Sequence, residues 1–109
     1  MSNIGIFAKA TTQAGADLML AQLGADIDYA TMNLEIVNTT GQDASLKVAI
    51  TNAAQPGAGD YIEFGAAVPA SGGVFSRSCF LVGPGEKIFI NSSVAGLAVR
   101  LTGLTQPAS

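Results

Sequence analysis

Apolar and polar residues alternate one for one through most of this chain, and that period restricts its fold more than any other feature. Residues 31–38 read TMNLEIVN, with Met32, Leu34 and Ile36 on one side and Asn33 and Glu35 on the other. Residues 45–51 read SLKVAIT, which groups Leu46, Val48 and Ile50 and sets Lys47 opposite. Successive side chains of a strand point to opposite faces, so each segment has one buried face and one turned to water or a partner. The link between them, TTGQD at 39–43, contains Gly41, which is free to take positive φ, so the expectation for this pair is a hairpin.

The same pattern continues toward the C-terminus. A Gly/Pro loop at 52–59 (NAAQPGAG) precedes a short strand at 60–65, with Ile62 and Phe64 on one side and Tyr61 and Glu63 on the other. After a break at 68–73, residues 74–82 alternate ambiguously. Val74, Phe80 and Val82 share a face with Ser76 and Ser78, while Phe75, Arg77, Cys79 and Leu81 hold the other. Period two alone does not say which face is buried. Gly83-Pro84-Gly85-Glu86 then reads as a type II turn, because proline presets φ at the second position and glycine accepts positive φ at the third. Strands at 87–91 (KIFIN) and 97–102 (LAVRLT) complete the series.

Before residue 31 the signals are weaker. Residues 4–10 read as an edge strand. Residues 14–24 (AGADLMLAQLG) contain helix formers, but a strand at 17–22, with Leu18 and Leu20 on one face, suits the all-β surroundings better and is the expectation. The fold class is therefore all-β: a single antiparallel β-sandwich, jelly-roll or Ig-like, of about 7–8 short strands. A chain of 109 residues fits one domain. Residues 1–30 are expected to form an N-terminal strand or arm region packing on or extending from the domain, 31–104 the sandwich core, and 105–109 a frayed tail.

Chemistry is scarce. The chain has no histidine, which removes Ser-His-Asp and Cys-His nucleophilic systems and imidazole metal sites. Cys79 has no second cysteine to join it in a disulfide or thiolate cluster; as a nucleophile it would need a base such as Lys87, and a small apolar filler in a strand is the expectation for it. Asp26 and Asp28 are spaced to share a strand face and touch a hard cation, but without further ligands nearby they read as solvated acids. Glu35 and Glu63 read as outward carboxylates; nothing in the sequence joins them as an acid pair. Gly57-Ala58-Gly59 is followed by Asp60, not by the Lys of a phosphate loop. No catalytic, cofactor-binding or metal residue is assigned, no cofactor is expected, and the chain reads as a non-enzyme.

Partners are bounded by charge. The five cations, Lys9, Lys47, Arg77, Lys87 and Arg100, are scattered in a chain of net charge −3, so neither nucleic acid nor an anionic membrane is expected as a partner. No apolar run reaches the ~20 residues of a bilayer span, and the N-terminus lacks the cationic and apolar blocks of a secretory signal. A cytoplasmic place of synthesis follows as the expectation, and the sequons at Asn38 and Asn91 then read as turn residues. Only 12% of residues are charged, which suits a surface covered by other proteins.

Residues 29–103 resemble small virion proteins of tailed bacteriophages. The resemblance rests on an Asn-ending strand (Asn38), a turn with Gly41 and Asp43, the strand Val48-Ala49-Ile50-Thr51, and the loop running from Pro56 into Asp60-Tyr61-Ile62-Glu63. It continues with Gly85-Glu86-Lys87 and the closing Ala95-Gly96-Leu97-Ala98-Val99-Arg100. These motifs are structural. The resemblance implies a β-sandwich of the virion, assembled in the host cytoplasm, and foremost a capsid decoration or cement protein that binds the major capsid protein. A homo-oligomer, with a trimer favoured, goes with that reading. A neck, tail, baseplate or fibre accessory is the alternative within the class, and a carbohydrate-binding module at the host surface the alternative outside it.

Overall fold

The alternating segments pair into two sheets that bury their apolar faces against each other. The computed structural model describes residues 3–107, and side chains for residues 8–105. Its strands are β1 (Asn3–Thr11), β2 (Asp17–Gln22), β3 (Ile27–Asn38), β4 (Ala44–Thr51), β5 (Tyr61–Val68), β6 (Gly73–Val82), β7 (Lys87–Ser92) and β8 (Ala98–Pro107). A 3-10 turn at Ala58–Asp60 precedes β5. One sheet, A, has the order β1-β8-β3-β6 and the other, B, the order β2-β7-β4-β5. All strand pairs are antiparallel.

This order is that of an eight-stranded jelly roll. It excludes the Ig arrangement, in which the first and second strands share a sheet. The chain changes sheet at every connection except β4–β5. Sheet A contributes Met32, Leu34 and Ile36 from β3, Val99 and Leu101 from β8, and Phe80 and Val82 from β6 to the core; sheet B answers with Leu46, Val48, Val68, Ile88 and Ile90. Burying each such side chain stabilises the fold by about 1.5–3 kcal/mol relative to leaving it in water. Gly103 must be glycine, because a Cβ there would lie 2.5 Å from the Thr31 carbonyl oxygen and 2.8 Å from the Met32 sulfur.

The strand expected at residues 17–22 is β2, and the Gly83–Glu86 turn has Gly85 at φ +74 with the Glu86 N–H donating to the Gly83 carbonyl (3.2 Å). The hairpin expected between residues 31–38 and 45–51 is absent: β3 and β4 lie in different sheets. Pairing them side by side would leave both apolar faces looking the same way with nothing opposite; crossing between layers sets them against each other. Asn38 holds that crossing. It is fully buried, its Nδ2 donates to the carbonyls of Gln42 (2.7 Å) and Val68 (2.9 Å), and its Oδ1 accepts from the Thr40 N–H (3.0 Å) and hydroxyl (2.6 Å). The hairpin is instead β4–β5, closed by the 52–60 loop, where the Asp60 carboxylate accepts from the Gly57 N–H (2.7 Å).

The ambiguity at 74–82 has a structural cause. β6 pairs Met32 with Phe80 but Leu34 with Arg77, so an extra residue is inserted between. Cys79, at φ 59, sits in this bulge, and its N–H donates to Asn33 Oδ1 (3.0 Å). A bulge reverses which parity faces inward. Phe75 and Phe80 therefore both pack on the core, although strict alternation puts them on opposite faces.

The N-terminal segment completes the domain's own sheet, since β1 pairs with β8 along the edge of sheet A. The tail differs from expectation. β8 continues through the buried Thr105 to Pro107, which pairs with Ile27, in place of fraying from residue 105; residues 108–109 of the expected tail lie outside the described residues.

Candidate interaction surface

Jelly-roll strands present alternate side chains outward, so the solvent side of each sheet is set by the residues between the core positions. On sheet A, Thr31 is the register partner of both Leu81 in β6 and Leu104 in β8. This makes a row across three strands, with Leu81 65% and Leu104 40% exposed and Tyr29 also exposed one position further along the same face. At the opposite end of the face, Val37 lies between the exposed Val74 and Ala98. The two rows are about 20 Å apart along β3. Between them Glu35 is flanked by Ser76 and Arg100, and Arg100 by Lys9. A shallow depression of about 400 Å³ runs over Lys9, Glu35, Val37 and Arg100.

Sheet B carries its own row. Met19, Phe89, Ala49 and Tyr61 are register partners in sequence across all four strands. Phe89 and Ala49 are buried although they face away from the core, while Met19 is exposed. At the β5 edge Tyr61 meets Phe64 edge-to-face with centroids 5.1 Å apart, and Lys47 Nζ lies 4.7 Å from the centre of the Phe64 ring. Phe64 is the most exposed large apolar residue of those described, at 69%. Apolar residues thus occupy the outside of both sheets, on opposite sides of the molecule.

The residues singled out for chemistry do not converge. Glu35 is on the outer face of sheet A, whereas Glu63 turns across the open β5–β6 side to pair with Arg77 (2.5 Å) and ties the two sheets together there. Asp26 is in the β2–β3 turn and Asp28 at the irregular start of β3, both exposed. Among the described residues no group of three or more His, Cys, Asp or Glu is placed to hold a metal. Cys79, expected as a small apolar filler in a strand whose alternation does not say which face is buried, is exposed at the bulge. Lys87 is not available to it: its ammonium donates to the carbonyls of Asn52 (3.4 Å) and Ala53 (3.1 Å). Tyr29 and Tyr61, the two polar aromatics, belong to different sheets and form no common stacking platform.

The sequon asparagines are likewise structural. Asn38 is consumed by the β3–β4 crossing, and Asn91, within β7 and not in a turn, donates to Asp17 Oδ1 (2.9 Å) across the strand pair. Among the described residues no helix is long and apolar enough to cross a membrane. The outer rows escaped sequence reasoning because they form from strands far apart in the chain; the only local signal was an apolar residue on the polar face of a strand, as at Phe89 or Leu81.

Comparison with known protein families and with curated proteins finds no match. Among solved structures, the infectious bursal disease virus VP2 subviral particle is similar at 13% sequence identity and a TM-score of 0.27. The match takes in 99% of this chain and 42% of that one, so this chain spans less than half of its length. A likeness at that level identifies no family.

Proposed function

We propose that this chain is a non-enzymatic structural protein of a tailed-bacteriophage virion, and that it decorates and cements the head shell. The observation that carries the proposal is the set of exposed apolar residues on the outer sides of the two sheets, Val74, Leu81 and Leu104 on one and Met19 and Phe64 on the other. A cement protein bridges neighbouring shell subunits, and bridging needs contact surfaces that face in different directions. Exposed apolar residues grouped on a surface mark an interaction site more often than scattered ones do. The low share of charged residues, 12%, fits a surface that is covered on assembly, since charges are depleted at interface centres.

The partner is then the major capsid protein, and a trimer about a local symmetry axis is the expected self-assembled form. Edge strands β1 and β6 of sheet A and β2 and β5 of sheet B offer unpaired N–H and C=O groups that extend a neighbour's sheet. Each occupied site adds stability to the shell by mass action. Quantitative mass spectrometry of purified particles tests the reading: hundreds of copies per particle are expected, with particles lacking the protein bursting at lower temperature. A copy number that follows the sixfold or threefold symmetry of necks and tails moves the protein to those structures and refutes the cement role.

A further inference from the structure

The two sheets leave a space between them at the end marked by the β2–β3 corner. A cavity of about 230 Å³ lies there, with the buried Leu23, Met32, Val82 and Ile88 on its wall and the half-buried Ala21 nearer the surface. Gln22 and Thr105 are the polar side chains on it, and no charged residue lines it. Protein cores otherwise pack to the density of organic crystals, with few voids larger than a water molecule.

The mouth is built, and the backbone holds it. The pairing of β2 with β7 shifts between Met19 and Ala21, and that of β3 with β8 between Ile27 and Tyr29. Bulges of this kind splay strands and are over-represented beside functional sites. The Leu23 N–H donates to the Glu86 carbonyl (2.8 Å) and the Gly85 N–H to the Leu23 carbonyl (3.0 Å), so the rim is tied to the Gly83–Glu86 turn. Such a rim keeps the opening preformed, as small-molecule sites generally are.

We propose that this cavity binds a small uncharged hydrocarbon-like molecule, the size of one aromatic ring with a short alkyl substituent. An apolar cavity of about 150 Å³ stays dry and takes benzene, so the larger volume here admits the ring with its substituent. The uncharged lining leaves an ionic ligand without a counter-charge. The site is separate from the outer rows, so it stands or falls independently of the cement reading.

Titration of the full chain, labelled at the methionine methyls with ¹³C, with ethylbenzene tests the site by NMR. Met32 lies on the cavity wall and Met19 on the outer side of sheet B, where it serves as an internal control. The Met32 methyl is expected to shift saturably while Met19 stays in place, and a tenfold excess over Kd raises Tm by about 5 °C. Val82→Phe fills the cavity and Ala21→Leu, at a half-buried position, narrows its mouth; each is expected to weaken binding at least tenfold. If Val82→Phe does not fold, Ala21→Leu carries the comparison, and the wild-type titration needs neither. An unmoved Met32 at the solubility limit of ethylbenzene, parallel unsaturated shifts of Met19 and Met32, or wild-type affinity in a folded filling variant each overturns the proposal.

Discussion

Replacing Asn38 with alanine removes the side chain that holds the β3–β4 sheet crossing. Four hydrogen bonds go at once: two donated by Nδ2 to the Gln42 and Val68 carbonyls and two accepted by Oδ1 from Thr40. Without Asn38 the Thr40 hydroxyl can turn its one proton to the Gln42 carbonyl, 3.2 Å away, and the 39–43 link is open to water, so three of the four are partly replaced. The bond to the Val68 carbonyl is not, because both residues are fully buried. An orphaned buried acceptor costs about 1–3 kcal/mol, and the other losses about 0.5–1 kcal/mol each. The sum is about 2.5–6 kcal/mol, a large part of the roughly 5–15 kcal/mol that holds a domain of this size. Urea unfolding should show the midpoint falling at unchanged m-value, with Tm lower by about 15 °C or more. A variant melting within a few degrees of wild type would refute the assignment of Asn38 as the tie between β3 and β5.

Asn38→Asp extends the test to pH. An ionised carboxylate there faces the Gln42 and Val68 carbonyls, whereas a protonated one still donates to one of them, so its folded pKa lies above the unfolded value of about 3.9. A group raised on folding contributes stability that is fully present below the unfolded pKa and lost as pH rises through the folded one. The stability gap to wild type should therefore be smallest in acid and widen upward from about pH 4; a gap independent of pH counts against the carbonyl cage. Gly103→Ala places a Cβ against the backbone of Thr31 and Met32, where no side chain can swing away, and a loss of about 3 kcal/mol in chemical denaturation is expected. Leu81→Asp with Leu104→Asp should leave Tm within about 3 °C of wild type, since both side chains are exposed, yet abolish binding to purified capsids in a sedimentation assay. Cys79 should react with one equivalent of a disulfide reagent in the native state, because the bulge exposes it; labelling that waits for denaturant would place the thiol inside.

The strands were readable because their cause is local. Leu46, Val48 and Ile50 fix the buried face of β4 within a span of a few residues, and Pro84 and Gly85 fix a turn by their own φ preferences. β2 shows where context decided: its composition allows a helix, and it became a strand because the edge of sheet B lacked one. What a local pattern does not encode is which strands become neighbours. Gly41 between two alternating segments is a fair hairpin signal, yet the buried Asn38 beside it marks a crossing, and an asparagine at a strand end reads identically in both cases.

The same limit explains why the outer apolar rows were hidden in the sequence while the lack of histidine was not. A missing histidine excludes imidazole catalysis wherever the strands run, because composition does not depend on topology. The row Met19–Phe89–Ala49–Tyr61 exists only when β2, β7, β4 and β5 lie side by side in one register. Shifting any of them by one residue turns its apolar member inward and erases the row. Phe89 makes the point most clearly, since within KIFIN it stands between Ile88 and Ile90 as one more apolar residue of a buried strand. Only the jelly-roll order shows that the isoleucines take the core and the phenylalanine lies outside, covered by its neighbours across the sheet. An interaction face built this way should tolerate conservative exchange at each position but not a change of register, so inserting one residue into β7 should abolish assembly more completely than substituting Phe89 by leucine.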